Sequence, residues 1–242
     1  MPRDVGVVVV AAGRGLRIGG ETAKQYLLIA GVPMVLRALR PFTSHPDVRH
    51  VVLVLPPDDA AQPPAFLSAL AAQPASTSSA ASPSVVSIVP GGAHRGDSVR
   101  AGLSVLSADC TVVLVHDAAR PFVDRAVIDA IIGIVRQGQG AVPAIPLTDT
   151  LKEATAKDGS LIRRTRPRAR LWRAQTPQGF PRPVLEKAHA RAAHYGHRAT
   201  DDAALVEAMG VPVRLVPDSC RNLKVTTRDD LALAELLAGA AP

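Results

Sequence analysis

The chain has 242 residues, of which 47% are hydrophobic and 20% are charged, a balance typical of one large α/β domain or two small ones. Its 28 Lys and Arg residues against 21 Asp and Glu leave a net charge of +7, which favours small anionic ligands, because an aromatic content of 3% argues against base stacking on single-stranded nucleic acid. Two cysteines cannot build a disulfide framework. The N-terminus does not resemble a leader peptide, and no apolar run reaches the ~20 residues of a membrane-spanning helix. We therefore expect a cytoplasmic protein that binds no membrane.

Apolar runs rich in β-branched residues alternate with helical patterns along the chain. The predicted strands are Val5–Val10, Val51–Leu55, Val85–Val89, Thr111–Val115, Ala141–Ile145 and Val211–Val216. The predicted helices begin with one opened by Pro33, then a short one around Ala65–Ala72, and continue with Arg95–Leu106, Asp124–Val135, Arg182–His194, Asp201–Met209 and Thr227–Leu237. Because the strands are continuously apolar, they predict a Rossmann-like, mainly parallel sheet with helices on both faces, in one domain over residues 1–242.

Two segments interrupt this rhythm. Pro56–Ser84 is low in complexity and rich in Ser, Ala and Pro, and we assign it no chemistry. In residues 149–178, two short strand-like pieces flank a "KDGS" turn, which predicts a β-hairpin arm projecting from the domain. The arm carries the arginine-rich stretch "RRTRPRARLWR".

The loop after the first strand, "AAGRGLRIGGETAKQ", combines glycines with Arg and Lys side chains. It is not the dinucleotide fingerprint, because Ile18 stands at the third glycine position. It is not a P-loop either, because Glu21 and Thr22 stand where Lys and Ser/Thr belong. By itself the loop fits either a phosphate-binding loop or an ordinary flexible turn between strand and helix.

Polar and small residues recur where the predicted strands end. The segments are "AAGRGLRIGGETAK", "PGGAHRGDSV" and "HDAARPFV", with "TDDAALVE" and "RNLKVTTRDDLALAE" nearer the C-terminus. Ligands of open parallel sheets bind at the carboxyl ends of strands. These segments therefore predict one shared site at that edge of the sheet.

Seven motifs together closely resemble the 2-C-methyl-D-erythritol 4-phosphate cytidylyltransferase family of the non-mevalonate isoprenoid pathway. They are "AAGRGLRIGGETAKQY", "GGAHRGDSV", "VHDAARPFV", "DTLKE", "LWRAQTPQGF", "TDDAALVEAMG" and "NLKVTTRDDLALAE", which occur in the family's order from Val5 to about Leu237. The resemblance implies an enzyme that transfers CMP from CTP to methylerythritol phosphate and releases pyrophosphate, with Mg²⁺ as cofactor.

The resemblance also assigns residues to the nucleotide. Arg17 and Lys24 occupy the positions that stabilise the transition state. The CTP-binding positions are Ala11, Ala12, Gly13, Gly15, Gly91, Gly92 and Ser98. Ala93 replaces an aspartate found in some members, so that base selection would depend more on backbone groups. Ala23 replaces a common proline, and we expect this to tune the loop without abolishing activity.

The methylerythritol phosphate site is implied in the same way. Its predicted residues are Asp117, Arg120, Thr150 and Thr176, with Arg168 and Lys224 as catalytic residues that orient the substrate phosphate. We assign no metal ligand, because Mg²⁺ would be held mainly by the CTP phosphates, with Asp117 able to act through water. The family's arm reaches across a homodimer, so that Arg168, Thr150 and Thr176 would complete the partner's pocket.

Several alternatives stay open from the residues. His116 reads as a structural histidine, and Arg95 fits equally a structural ion pair or a functional role. A cytidylyltransferase for ribitol phosphate shares much of this pattern, and the arginine-rich arm also fits a nucleic-acid-binding protein, whose affinity would fall steeply with salt. A silent nucleotide-binding relative is disfavoured by the presence of both Arg17 and Lys24. The group His189, His194 and His197 predicts a solvated helix face rather than a metal site.

Overall fold

The structure is a computed structural model that describes residues 3–13, 22–71, 84–156 and 159–239. The strands are β1 (Val5–Val10), β2 (Leu28–Ile29), β3 (Val32–Pro33), β4 (Val48–Leu55), β5 (Val85–Pro90), β6 (Val112–Asp117), β7 (Gly140–Pro146), β8 (Leu151–Ala154), β9 (Ile162–Arg166), β10 (Trp172–Ala174), β11 (Gln178–Pro181) and β12 (Val213–Pro217). The helices are α1 (Met34–Thr43), α2 (Pro57–Ala61), α3 (Ala65–Ala71), α4 (Arg95–Val105), α5 (Arg125–Val135), α6 (Arg182–His194), α7 (Asp202–Glu207) and α8 (Arg228–Gly239), with a short 3-10 helix at Lys24–Tyr26. All six predicted strands and all seven predicted helices are present, with ends that shift by up to three residues.

One mixed sheet organises the described part of the chain. Its strand order is β10-β7-β11-β6-β1-β4-β5, and β12 pairs with β7. The pairs β5–β4, β4–β1, β1–β6 and β7–β12 are parallel, whereas β10 and β11 run antiparallel to their neighbours. The prediction of a mainly parallel sheet is therefore confirmed, and the antiparallel β10 and β11 are the elements that the sequence pattern did not predict.

Helices pack on both faces of this sheet, because successive side chains of a strand point to opposite sides. Val7 and Val9 of β1 are buried in one apolar cluster with residues of α1 and α5. Val8 is buried in a second cluster with residues of α4, α6 and α7. The central strands are thus mostly apolar, and polar side chains such as Asp117 of β6 lie near the strand ends.

Local signals in the sequence place several helix starts correctly. The Asp124 carboxylate accepts a hydrogen bond from the Ala126 N–H at 2.8 Å, which confirms it as the N-cap of α5. The Thr227 hydroxyl accepts one from the Asp230 N–H at 3.2 Å at the start of α8. Helix α1 begins one residue after Pro33.

The predicted arm is shorter than its predicted bounds. Strands β8 and β9 pair antiparallel as a separate two-stranded sheet, as the "KDGS" turn indicates. The segment after Leu171, however, returns to the main sheet, where β10 pairs with β7 and β11 pairs with β6. The prediction that the arm extends to Gln178 is wrong, because backbone pairing with β6 and β7 draws this segment back into the sheet. Within the described residues, no helix is both long and apolar enough to cross a membrane.

Candidate active site

A cavity of about 510 Å³ lies at the carboxyl ends of β1, β5 and β6. Its lining includes Ala11, Ala12, Gly13, Lys24, Gly92, Ala93, Arg95, Ser98, Asp117 and Lys224. These residues come from four separate sequence segments, and the parallel order of the strands brings them to one edge. Four of the five predicted strand-end segments therefore meet at this cavity, whereas "TDDAALVE" does not line it.

Two glycines allow the loop after β5 to approach the loop after β1. A Cβ on Gly91 would lie 2.4 Å from the Cβ of Ala12, and a Cβ on Gly92 would lie 2.3 Å from that of Asp97. The Gly92 N–H donates to the Ser98 hydroxyl at 3.2 Å, and that hydroxyl donates to the His94 carbonyl at 3.3 Å. Ser98 thus holds the loop in shape, and a larger residue at either glycine would force it away from the pocket.

Asp117, the last residue of β6, lies between two cations. Its Oδ2 accepts a hydrogen bond from Lys224 Nζ at 2.6 Å, and its Oδ1 lies 3.3 Å from Arg95 Nε. Burial raises the pKa of Asp117, but the charges of Arg95 and then of Lys224 outweigh it and hold that pKa well below the ordinary value. The carboxylate is therefore ionised at neutral pH and its position is fixed by both partners.

The C-terminal loop closes one side of the cavity. The Val225 N–H donates to the Ala119 carbonyl at 2.8 Å, and the Val225 carbonyl accepts from Lys24 Nζ at 2.8 Å. This single residue ties the turn after β6 to the loop after β1. It explains how Lys24 and Lys224, which are 200 residues apart, come to line one cavity.

His116 is completely buried beneath this site. The Asp117 N–H donates a hydrogen bond to Thr176 Oγ1 at 3.0 Å. Because the Thr176 oxygen accepts there, its hydroxyl proton is donated to His116 Nδ1, which lies 3.0 Å away. The His116 Nε2–H then donates to the Arg120 carbonyl at 3.0 Å, which defines the tautomer. Burial lowers the pKa of His116 to about 4. The prediction of a structural histidine agrees with this arrangement.

Arg95 connects the cavity to a buried acid behind it. Arg95 Nη1 donates to Asp202 Oδ2 at 2.7 Å, and Asp202 Oδ1 lies 2.9 Å from His189 Nε2. His189 is 2% exposed, so the prediction of a solvated face is wrong for this residue: α6 turns His189 inward onto α7, where Asp202 partners it. Among the described residues, no group of three acids, histidines or cysteines could hold a metal ion.

Nearly the whole chain is similar to proteins of one family. The family model described as 2-C-methyl-D-erythritol 4-phosphate cytidylyltransferase matches residues 5–239. The cytidylyltransferase of that name from Syntrophus aciditrophicus is 37% identical over 235 residues, which cover 97% of this chain and 96% of the relative. The crystal structure of the Thermus thermophilus protein of the same name has a TM-score of 0.76 at 34% identity and covers 96% of this chain and 98% of that one.

The chain belongs to the 2-C-methyl-D-erythritol 4-phosphate cytidylyltransferase family. This confirms the predicted resemblance, the Rossmann-like fold and the enzyme class, a nucleotidyltransferase of isoprenoid precursor biosynthesis. A bifunctional IspD/IspF enzyme of Rhodospirillum rubrum is 42% identical over 234 residues, which cover 96% of this chain. That match covers 56% of the relative, so the chain spans about half the length of the bifunctional relatives it matches.

Not every predicted residue of the family's site reaches the cavity. Arg120 is buried, but its Nη1 donates to the Asn222 carbonyl at 2.6 Å and it does not line the cavity. Thr176 lies outside the hairpin and is buried against His116 and Asp117 of its own chain, so its predicted place on the arm is wrong. Arg17 and Gly15 lie outside the described residues.

Thr150 and Arg168 are exposed at the base of the hairpin, where the Arg168 Nη1 donates to the Thr148 carbonyl. Neither residue lines the cavity of its own chain. Their predicted role in a partner's pocket stays a prediction.

Two parts of the site were not predicted from the sequence. The Asn222 side chain donates to the Thr176 carbonyl at 3.0 Å and to Asp218 at 2.7 Å, and so holds the C-terminal loop against β11. The link from Arg95 to Asp202 and His189 was also missed, since Arg95 and Asp202 are 107 positions apart in the chain. One sequence signal could have indicated this link, namely Asp202, the second acid of "TDDA". Asp202 is not needed as a helix cap, because Asp201 already caps α7.

Proposed function

We propose that this cavity transfers CMP from CTP to 2-C-methyl-D-erythritol 4-phosphate and releases pyrophosphate, the reaction of the family. The observation that carries the proposal is the meeting of Lys24, Lys224 and Arg95 with the glycine loop at Gly92 around one cavity. A phosphate oxygen of the acceptor would form a bond to the α-phosphorus of CTP while the bond from that phosphorus to the bridging oxygen of the leaving pyrophosphate breaks. Because the attacking phosphate is already ionised, no base has to remove a proton.

The protein's contribution to such a reaction is positioning and electrostatic stabilisation. Negative charge increases around the α-phosphorus in the transition state, and fixed cations stabilise it strongly in a site from which water is excluded. We assign this role to Lys24 and, from the family resemblance, to Arg17. The Lys24 Nζ is held by the Val225 carbonyl, so its position is set before the nucleotide binds.

The nucleotide and the acceptor would occupy opposite sides of the cavity. Gly91, Gly92 and Ser98 shape the loop after β5, and the absence of a side chain at Gly92 lets a base approach its backbone closely. With Ala93 in place of an acid, base selection would depend on backbone N–H and carbonyl groups. On the other side, Asp117 and Lys224 would orient the acceptor and its phosphate.

Mg²⁺ is the cofactor that we propose. Asp117 is the sole acid among the described residues that line the cavity, and both of its oxygens already have cationic partners. This donor set does not form a metal cage, but it fits a hard cation whose oxygen ligands are phosphates and water, with Asp117 acting through a water molecule. The ion, when bound, would neutralise charge on the CTP phosphates.

A homodimer is the assembly that we propose, with the hairpin of β8 and β9 reaching the partner's site. The hairpin carries exposed apolar side chains, among them Leu161 at 59% and Ile162 at 63% exposure. Large exposed apolar groups on a projecting element favour burial against another protein surface. Sedimentation equilibrium tests this: an Ile162→Asp variant should be monomeric at concentrations at which the wild type is a dimer, and a monomeric wild type would refute the assembly.

The reaction is tested by pyrophosphate release from CTP and Mg²⁺, with methylerythritol phosphate and ribitol phosphate compared in parallel. Lys24→Met should lower kcat by about 10²–10³-fold, since it removes a transition-state charge and keeps the side chain's length. Lys187→Met, on the exposed face of α6, is the matched control and should leave the rate unchanged. Faster release with ribitol phosphate would reassign the acceptor, and release with neither acceptor would refute the proposed function.

A further inference from the structure

Five ionisable side chains form one continuous row that starts in the cavity and ends in the protein interior. The order is Lys224, Asp117, Arg95, Asp202 and His189, and each neighbouring pair lies within 3.3 Å. The first three line the cavity, whereas Asp202 and His189 lie behind it. Besides His189, the row contains two cations and two carboxylates, whose charges balance.

The two side chains behind the cavity are more deeply buried than the three that line it. Exposure is 1% for Asp202 and 2% for His189, against 27% for Arg95, 12% for Asp117 and 43% for Lys224. A buried carboxylate is stable only when its charge is paired and its oxygens accept hydrogen bonds. Asp202 meets both conditions, through Arg95 on one oxygen and His189 on the other.

The backbone around Asp202 is itself held firmly. The Gln178 side-chain oxygen accepts from the N–H groups of Asp202 at 3.1 Å and Ala203 at 2.9 Å. Asp201 caps the same turn by accepting from the Ala204 N–H at 3.0 Å. Strand β11 therefore fixes the first turn of α7, and Asp202 is a rigid anchor for whatever it binds.

The two cations that contact Asp117 differ in how freely they can move. Arg95 is attached at both ends of its guanidinium, with its shorter contact to the buried Asp202. Lys224 has a flexible stem, is the more exposed of the two and donates to a single acid, Asp117. An anionic phosphate that enters the cavity therefore attracts Lys224 more easily than it attracts Arg95.

We propose that Asp202, supported by His189, is a positioning residue that keeps Arg95 beside Asp117 while Lys224 changes partner from Asp117 to the phosphate of the acceptor. Without this anchor both cations would turn to the phosphate, and Asp117 would be left buried without a partner, which is costly. This inference rests on the proposed function, because it assumes that an acceptor phosphate enters on the Lys224 side.

The matched variants are Asp202→Asn and Asp129→Asn. Both remove a carboxylate that lies within 2.9 Å of a buried histidine, but Asp129, on α5, pairs with His45, and neither of these two residues lines the cavity. Asp202→Asn should raise the KM for methylerythritol phosphate about tenfold, which corresponds to about 1.4 kcal/mol, with less than about a twofold change in the KM for CTP. Asp129→Asn should leave both values unchanged.

A double variant shows whether Asp202 acts through Arg95. Adding Asp202→Asn to Arg95→Met should cause no further loss, because the group that Asp202 holds is already absent. If Asp202→Asn does not fold, His189→Leu removes the same support from the other side and should raise the same KM. An unchanged acceptor KM in the folded variant, or a full additional loss in the double variant, would overturn the inference.

A readout that does not depend on catalysis separates this inference from the proposed function. In ¹⁵N-labelled protein, the Arg95 Nε–H signal should be resolved and slow to exchange in the wild type and in Asp129→Asn, and should be lost in Asp202→Asn. If the wild type makes no product but the signal behaves in this way, the proposed function fails and the anchoring of Arg95 stands. If the signal survives in Asp202→Asn, the anchoring itself is refuted.

Discussion

Acidification should destabilise this protein through His116, the buried histidine before Asp117. The side chain is 0% exposed, and its Nδ1 already accepts from Thr176 while its Nε2–H donates to the Arg120 carbonyl. Protonation would add an N–H at Nδ1, where it would face the proton that the Thr176 hydroxyl donates. Burial accordingly lowers the pKa of His116 from its ordinary value to about 4.

The sign follows from proton uptake in the two states. In the unfolded chain His116 takes up a proton as the pH falls below about 6.5, whereas in the native state it stays neutral until about pH 4. The native state binds fewer protons in this window, so the free energy of unfolding decreases as the pH falls through it. The decrease is about 2 kcal/mol by pH 5 and about 3 kcal/mol below pH 4, at about 1.4 kcal/mol per pH unit.

The assay is urea unfolding followed by circular dichroism at about pH 7.5 and about pH 5. A His116→Gln variant keeps one donor and one acceptor but cannot titrate, and the other ionisable groups are common to both proteins. Between the two pH values the wild type should lose about 2 kcal/mol more than the variant. Equal losses in the two proteins, or an NMR titration of His116 with a midpoint near its ordinary pKa, would refute this reasoning.

Two further predictions concern the loop and the cap near the site. Gly91→Ala should lower the free energy of unfolding by about 1–3 kcal/mol and weaken CTP binding, because its Cβ would lie 2.4 Å from the Cβ of Ala12 and 2.8 Å from the Ser98 oxygen. In thermal unfolding with and without CTP, Gly133→Ala on α5 is the control, since nothing lies within 4 Å of its Cβ, and an equal loss there would contradict the steric explanation. Asp124→Ala should cost about 1 kcal/mol through the lost cap of α5, with kcat unchanged, and a fall in kcat would show that α5 positions the site.

Much of the fold could be predicted from the sequence, because its signals are local. The continuous apolar runs such as Val5–Val10 predict buried parallel strands, and Asp124 marks a helix start by its own hydrogen bond. The position of the site was predictable for the same reason, since ligands bind at strand ends and the polar loops follow the strands directly. Lys24, Asp117 and Lys224 were each recognisable from short motifs, and the structure brings all three to one cavity.

Tertiary structure alone decided which of these polar groups contact one another. No local pattern indicates that Arg95 reaches Asp202 across 107 positions of sequence, or that β11 inserts antiparallel between β6 and β7 and buries Thr176. The same dependence explains why the burial of His189 could not be predicted from the sequence of α6. His189 is buried because α7 packs against that face of α6. Local sequence determines backbone conformation through a few neighbouring residues, whereas the pairing of buried charges depends on packing between segments that only the folded chain brings together.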